Sequence, residues 1–203
     1  MAQKDRLKWD AKYSDGDHLI EKGEASFMLK RFYDTAPAKR ALDVACGTGR
    51  NALFLAEHGF IVDALDISPV GLQRLQDHAE QISGAGKVNC QVVDLDGYSP
   101  PKASYDLIVV TNYLNRDLIP KLASALREGG VLVIDTFMVD SRNGAQDFNP
   151  DYLLRGGELP TYFDSTFEVL AFEDARKGRC NNALLKQAIA VRKCRTSCKF
   201  DSM

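Results

Sequence analysis

Asp43, Gly47 and Asp66 stand four and nineteen residues apart, with a second glycine at Gly49. Two glycines this close let a backbone turn tightly and approach a bound group. An acid nineteen residues further on has the spacing at which a carboxylate accepts hydrogen bonds from ribose hydroxyls. The combination points to a nucleoside. The same stretch, GTGRNA, also satisfies the GxGxxA form of the dinucleotide fingerprint, which keeps a nicotinamide-dependent oxidoreductase open. Asp43 tilts against it, because a carboxylate in the strand that leads into the turn would repel a pyrophosphate and suit a cationic ligand. In VVDLDG, Asp94 can accept from an exocyclic adenine amine and Leu95 can contact the ring; Asp94 can equally cap the turn before Gly97.

These residues need strands and helices to hold them. Ala41 to Ala45 is a short apolar run ending in the glycine turn, and Asn51 to His58 carries helical spacing up to Gly59. Phe60 to Asp66 predicts the next strand, and Ser68-Pro69 supplies an N-cap and a first-turn proline for a helix through about Ile82. Lys87 to Val93, Tyr105 to Thr111 and Val131 to Phe137 read as strands, with a helix over Asp117 to Arg127 closed by Gly129-Gly130. Such alternation means a parallel sheet covered on both faces, and ligands then sit beyond its carboxyl ends. Phe167 to Phe172 and Leu184 to Val191, around the polar stretch EDARKGRCNN, predict a hairpin at the sheet edge. No catalytic domain of a dehydrogenase is expected to follow it. Ser26 to Tyr33 has helical spacing, and the polar, aromatic stretch before it is expected to be irregular.

Composition narrows the partners. A length of 203 residues suits one domain, and a net charge of -2 offers no overall attraction to nucleic acid. The first residues lack the apolar core of a signal peptide, and no run reaches membrane-spanning length, so a soluble cytoplasmic protein is expected. Five cysteines, including Cys194 and Cys198, have neither disulfide nor zinc spacing, and no metal site is expected. His58 is expected to interact with the end of its own helix.

LDVACGTGRNALFLA, VDALDIS, VVDLD and LREGGVLVIDTF together resemble the class I S-adenosylmethionine-dependent methyltransferases, in the branch similar to the tellurite-resistance methyltransferases. Trp9, Asp10 and Tyr13 match the WD…Y pattern of that branch, and Asn149 to Leu159 matches its NPxxLLRxGEL segment. The resemblance implies an α/β, Rossmann-like doubly wound sheet of seven strands, order 3-2-1-4-5-7-6 with strand 7 antiparallel, as one domain over residues 1–203. It implies S-adenosyl-L-methionine as cofactor, bound by Trp9, Tyr13, Asp43, Ala45, Cys46, Gly47, Gly49, Asn51, Asp66, Ile67, Asp94, Leu95 and Thr111. The acceptor would be a small molecule such as a metalloid oxyanion or a thiol, met by Tyr13, His18, Asn112, Tyr113, Arg116 and Arg155. A thiolate or oxyanion requires no general base. Residues 1–36 and 138–165 are expected to cover the site. A non-catalytic adenosine-binding module is the alternative that shares this cofactor.

Overall fold

The structure, a computed structural model, describes residues 2–14, 23–82, 85–139, 149–177 and 185–195. Seven strands form one sheet: β1 (Arg40–Val44), β2 (Ile61–Asp66), β3 (Lys87–Val92), β4 (Tyr105–Thr111), β5 (Leu126–Phe137), β6 (Phe167–Lys177) and β7 (Leu185–Lys193). Their order is β3-β2-β1-β4-β5-β7-β6, with β7 antiparallel between β5 and β6. This is the topology that the resemblance implied. The order reverses beside β1, so the turn after β1 opens at the switch point of the sheet.

Alternation along the strands divides the core between two faces. Ala41, Leu107, Val109, Val131, Val133, Ala188 and Ala190 pack against α2 (Phe27–Phe32), α3 (Arg50–Glu57) and α4 (Pro69–Ala79), through Met28, Leu29, Leu55, Leu72 and Leu75. Leu42, Val44, Ile108, Val110, Leu132, Ile134, Ile189 and Val191 pack against α5 (Ile119–Ala125) and the 149–163 segment. Small side chains at Ala188 and Ala190 let α2 lie close on the sheet. Central strands buried on both faces explain the continuous apolar runs.

Three elements differ from expectation. Residues before Ser26 are not all irregular: Ala2–Ser14 forms α1. Its sequence, AQKDRLKWDAKYS, is rich in good helix formers yet polar all round, so no apolar stripe betrays it. Helix α5 stops at Ala125 rather than Arg127, because Leu126 already pairs with Tyr105. The register then shifts before Leu107 meets Val131, and Gly129, at φ 77°, turns within that irregularity instead of capping the helix. Strand β6 runs on to Lys177, so Glu173–Lys177 of the expected turn is strand. The rest of that turn, Cys180, Cys198, His18 and residues 140–148 of the expected cover lie outside the described residues.

Candidate functional site

The glycine turn owes its shape to missing side chains. Ala45, Gly47 and Gly49 all have positive φ, at 54°, 58° and 87°. A Cβ on Gly49 would lie 2.1 Å from Leu75 Cδ1, so this glycine serves the packing of α3 on α4. A Cβ on Gly47 would lie 2.8 Å from Tyr13 Oη, and one on Gly71 would lie 2.9 Å from Tyr13 Cδ2. Tyr13 thus rests over both the turn and the start of α4. Asp66 ties the turn to β2: its Oδ2 accepts from Gly47 N–H at 2.8 Å and its Oδ1 from Ser68 N–H at 2.9 Å. Burial raises the Asp66 pKa, opposed by these amides. Each carboxylate oxygen keeps a second lone pair, so ribose binding is compatible with this role. Cys46 is buried, and burial with Asp43 and Asp66 nearby pushes its thiol well up, which disfavours a nucleophilic thiolate.

The WD…Y residues dock α1 against the same turn. Asp10 Oδ1 accepts from Ser68 Oγ at 2.5 Å, and Ser68 Oγ in turn accepts from Gly71 N–H as the cap of α4. Arg74 donates to Ser14 O at 3.2 Å, capping the end of α1. Trp9 stacks on Tyr13 with ring centroids 5.5 Å apart, and Lys12 Nζ lies 4.6 Å from the Trp9 ring. Burial, Asp66 and Cys46 all raise the Tyr13 pKa, so its hydroxyl stays protonated. Ile67 is half-buried beside Asp66.

Along the carboxyl ends of β1, β4 and β5 and the amino end of β7, polar groups replace the apolar ones on the α2–α4 face. Asp43 is 1% exposed with both carboxylate oxygens lacking a hydrogen bond among the described residues. Burial raises its pKa to about 7; the Arg50 guanidinium and the Ala52 amide oppose this without completing a hydrogen bond. Asn51 donates to Thr111 Oγ1 at 3.0 Å and accepts from Ser26 N–H at 3.0 Å. Arg50 also reaches Thr111 Oγ1, at 3.3 Å. Ser26 Oγ donates to Asp135 Oδ2 at 2.8 Å, while Lys186 Nζ lies 3.4 Å from Asp135 Oδ1 and 2.5 Å from Asn112 Oδ1. Sequence reasoning missed Ser26, Arg50, Asp135 and Lys186. The carboxylate inside the apolar run VLVIDTF was the available signal for Asp135, the same signal that singled out Asp43.

On the opposite face Arg116, one of the two expected acceptor-side arginines, is engaged otherwise. Arg116 forms a bidentate pair with Glu158, Nε–Oε1 2.7 Å and Nη2–Oε2 3.0 Å, and donates to the carbonyls of Asp151 and Leu153. Burial alone would raise the Glu158 pKa, but Arg116, the Arg155 amide and the Tyr162 hydroxyl hold it at about 2. Gln187 accepts from Leu159 N–H and donates to Arg155 O and Asp174 Oδ1. The NPDYLLRGGEL segment is therefore fastened by its own cap, leucines and glutamate, and Arg116 holds that loop rather than standing open to an anion. Arg155 contributes its backbone, and its side chain is exposed. Asp94 is exposed and Oδ1 caps the Asp96 amide at 3.0 Å, the turn-forming role. Leu95 is buried with Tyr113 packed near it, and burial, with Asp96 and Asp94 adding to it, raises the Tyr113 pKa. His58 Nδ1 lies 2.7 Å from Phe54 O near the end of α3, as expected. Among the described residues no group of His, Cys, Asp and Glu side chains gathers to hold a metal, and no helix is long and apolar enough to cross a membrane.

Comparison with known proteins bears on this arrangement. Residues 41–130 match the model of a methyltransferase domain. A protein of Geobacillus sp. (strain WCH70), named as a candidate methyltransferase, is 32% identical over 145 residues, covering 64% of this chain and 53% of its own length. The chain spans about half the length of the curated relatives it matches. Among solved structures, TehB from Haemophilus influenzae superimposes with a TM-score of 0.68 at 19% identity, over 91% of this chain and 67% of that one. The [4+2]-cyclase SpnF superimposes with a TM-score of 0.67 at 16% identity, over 97% of each. The methyltransferase domain matched over residues 41–130, the sheet order and the glycine turn together support a class I S-adenosylmethionine-dependent methyltransferase.

Proposed function

We propose that the chain moves the methyl group of S-adenosylmethionine to a small-molecule acceptor, with a metalloid oxyanion or a thiol as the first classes to test. The observation that carries this reading is the buried carboxyl of Asp43, without a hydrogen bond among the described residues, beside a glycine turn already tied to Asp66. Such a site favours a cation and disfavours a pyrophosphate. When bound, S-adenosylmethionine supplies a methyl group on a sulfonium, a good leaving group.

The chain's own residues then bind, orient and exclude water. Asp66 accepts from the ribose hydroxyls, Leu95 contacts the adenine, and the backbone from Ala45 to Gly49 lies against the methionyl portion. Arg50 is the cation at the turn and pairs with the methionyl carboxylate. Tyr13 and Trp9 cover the turn, so that transfer occurs away from water. Asn112 and Tyr113 flank the acceptor, and its in-line placement against the methyl group supplies most of the rate. In this reading residues 1–203 act as one domain, in the cytoplasm, on a dissolved small molecule and not on nucleic acid.

Calorimetry with S-adenosylhomocysteine and with NAD tests the cofactor: binding of the first and not the second is expected, and the reverse overturns the reading. A methyl-donor assay against tellurite, thiols and small metabolites then tests transfer. The SpnF likeness gives a second reading its substance, since the same fold carries a cyclase there. Tight S-adenosylhomocysteine binding without transfer to any acceptor would favour that reading.

A further inference from the structure

We infer that Thr111 makes cofactor binding depend on the carboxylate of the methionyl portion, its hydroxyl hydrogen directed at the anionic group that Arg50 holds. The inference rests on the methyl-transfer reading above and deepens it, from one cation at the turn to a pair of donors reading one carboxylate.

The network around Thr111 fixes which way its hydroxyl works. Ser26 N–H can only donate, and it donates to Asn51 Oδ1 at 3.0 Å. That contact settles the orientation of the Asn51 amide, so its Nδ2 faces Thr111 Oγ1 at 3.0 Å and donates to it. Arg50 Nη2, which also can only donate, approaches the same oxygen at 3.3 Å. A threonine hydroxyl has two lone pairs and one hydrogen, and both lone pairs are thus taken. Its hydrogen meets no acceptor among the described residues.

Position says what accepts it. Thr111 is the last residue of β4, at the end of the sheet where ligands bind, and alternation from Leu107 and Val109 puts its side chain on the α2–α4 face. There it lies against the first two residues of α3, directly after the glycine turn. At 7% exposure it has little access to bulk water, and a buried hydroxyl hydrogen left unmatched is unfavourable. Its polar neighbours on α3, Arg50 and Asn51, are both donors to it, so the missing partner is an acceptor. An anionic oxygen answers the guanidinium and the hydroxyl together. The methionyl carboxylate supplies one, because the two donors stand only 3.3 Å apart. A methyl acceptor placed there would have to displace that carboxylate from Arg50.

Calorimetry on the full chain with S-adenosylhomocysteine and with its decarboxylated analogue, which carries hydrogen in place of the carboxylate, measures the carboxylate preference of each variant. Wild type should prefer S-adenosylhomocysteine. Thr111→Val keeps the branched shape, removes the hydroxyl and should shrink that preference about tenfold or more, the scale of one hydrogen bond to a charged group. Thr111→Ser should retain it. Thr111→Cys, a weaker donor of similar size, should fall between the two and decides the matter where Thr111→Val does not fold. A general loosening of the site would weaken both ligands alike; an unchanged preference in Thr111→Val therefore overturns the inference. Removing the hydroxyl also deprives Arg50 of an acceptor, so the preference is measured again in Arg50→Met and in the double variant Arg50→Met, Thr111→Val. A further fall of about threefold or more in the double variant supports direct contact between Thr111 and the carboxylate. No further fall would mean that Thr111 acts only through Arg50, and overturns the inference. Wild type that binds neither ligand breaks the methyl-transfer reading and this inference with it, whereas wild type that binds both equally breaks the inference alone.

Discussion

The glycine turn after β1 and the 149–162 segment are both irregular, and they are built in opposite ways. At the turn, side chains are absent: Gly47, Gly49 and Gly71 leave backbone where Tyr13 and Leu75 press in, and a buried acid, Asp43, stands beside it without a hydrogen bond among the described residues. In the 149–162 segment side chains fasten the loop. Arg116 meets Glu158, and Gln187 meets Arg155, Leu159 and Asp174. A site that must take in a charged ligand keeps a buried charge unmatched, whereas a wall that must only hold its shape pairs its buried charge internally. The two patterns are a guide to which loop binds and which supports.

The largest expected break is at Gly49. Gly49→Val places a branched side chain at φ 87° and into Leu75, so strain and overpacking should add to about 3–5 kcal/mol and remove S-adenosylhomocysteine binding. Gly157, at φ 68° in the supporting segment, has nothing within 4 Å of its missing Cβ among the described residues. Gly157→Ala should therefore cost only about 1 kcal/mol and leave binding intact. Urea denaturation of the two variants side by side, with calorimetry on whichever folds, checks the contrast. Similar losses in both would mean that backbone conformation, not crowding, governs the turn.

Asp66→Ala follows. From sequence alone this acid reads as a ribose ligand. The structure adds the amides of Gly47 and Ser68, two buried donors that would lose their acceptor. A loss of about 2–3 kcal/mol in stability is expected beside the loss of cofactor affinity. Asp66→Asn keeps one acceptor oxygen and should lose about half as much stability. If Asp66→Ala unfolds at the same urea concentration as wild type, the carboxylate does not hold the turn.

What was legible in the sequence divides along the same lines. Strands buried on both faces wrote themselves as apolar runs, and Tyr105–Thr111 is found with the bounds expected for it. The glycine turn, Asp43 and Asp66 were legible because one stretch of chain holds them all. Helix α1 was not, since its anchors Asp10 and Tyr13 are two residues on an otherwise polar helix. Nor was the Arg116–Glu158 pair, whose partners are 42 residues apart, or the Ser26–Asp135 contact across 109. Contacts of that kind depend on strand order, which local pattern does not encode. A motif match told which residues of 149–159 belonged together, and only the coordinates told that they fasten a wall.

Arg116→Met probes the wall. The guanidinium is 36% exposed and Glu158 13%, so solvent screens part of the pair and a loss of about 1–2 kcal/mol is expected at neutral pH. The acid dependence gives a sharper reading. Glu158 is held at about 2 in the folded chain against 4.5 when free, so its contribution is present above pH 4.5 and fades as pH falls toward 2. Removing Arg116 should flatten the fall in stability across that window. Cofactor affinity should not change, because the wall does not touch the glycine turn. A large loss of S-adenosylhomocysteine affinity would show the two regions to be coupled.

The smallest expected change, and the one that reports most directly on the binding region, is at Asp43. Its pKa of about 7 in the folded chain exceeds the 3.8 of the free side chain. Between those values the folded chain holds a proton that the unfolded chain has lost, so stability falls as pH rises from about 4 to 7 and stays lowered above. Asp43→Asn removes the ionisation and should flatten that slope. At pH 8 it should stabilise the free protein by about 1–2 kcal/mol, less than the full cost of a buried charge because the amide is itself left without partners. Binding should move the other way. S-adenosylmethionine carries a sulfonium that S-adenosylhomocysteine lacks, and a carboxylate near the turn attracts that extra charge. Asp43→Asn should therefore weaken S-adenosylmethionine more than S-adenosylhomocysteine, by a further factor of about three to ten at pH 8. In wild type the same difference should shrink as pH falls below about 7 and Asp43 takes up its proton. Calorimetry with both ligands at pH 6 and pH 8 measures all four affinities. Equal weakening of the two ligands would mean that Asp43 shapes the turn without acting on the charge of what it binds.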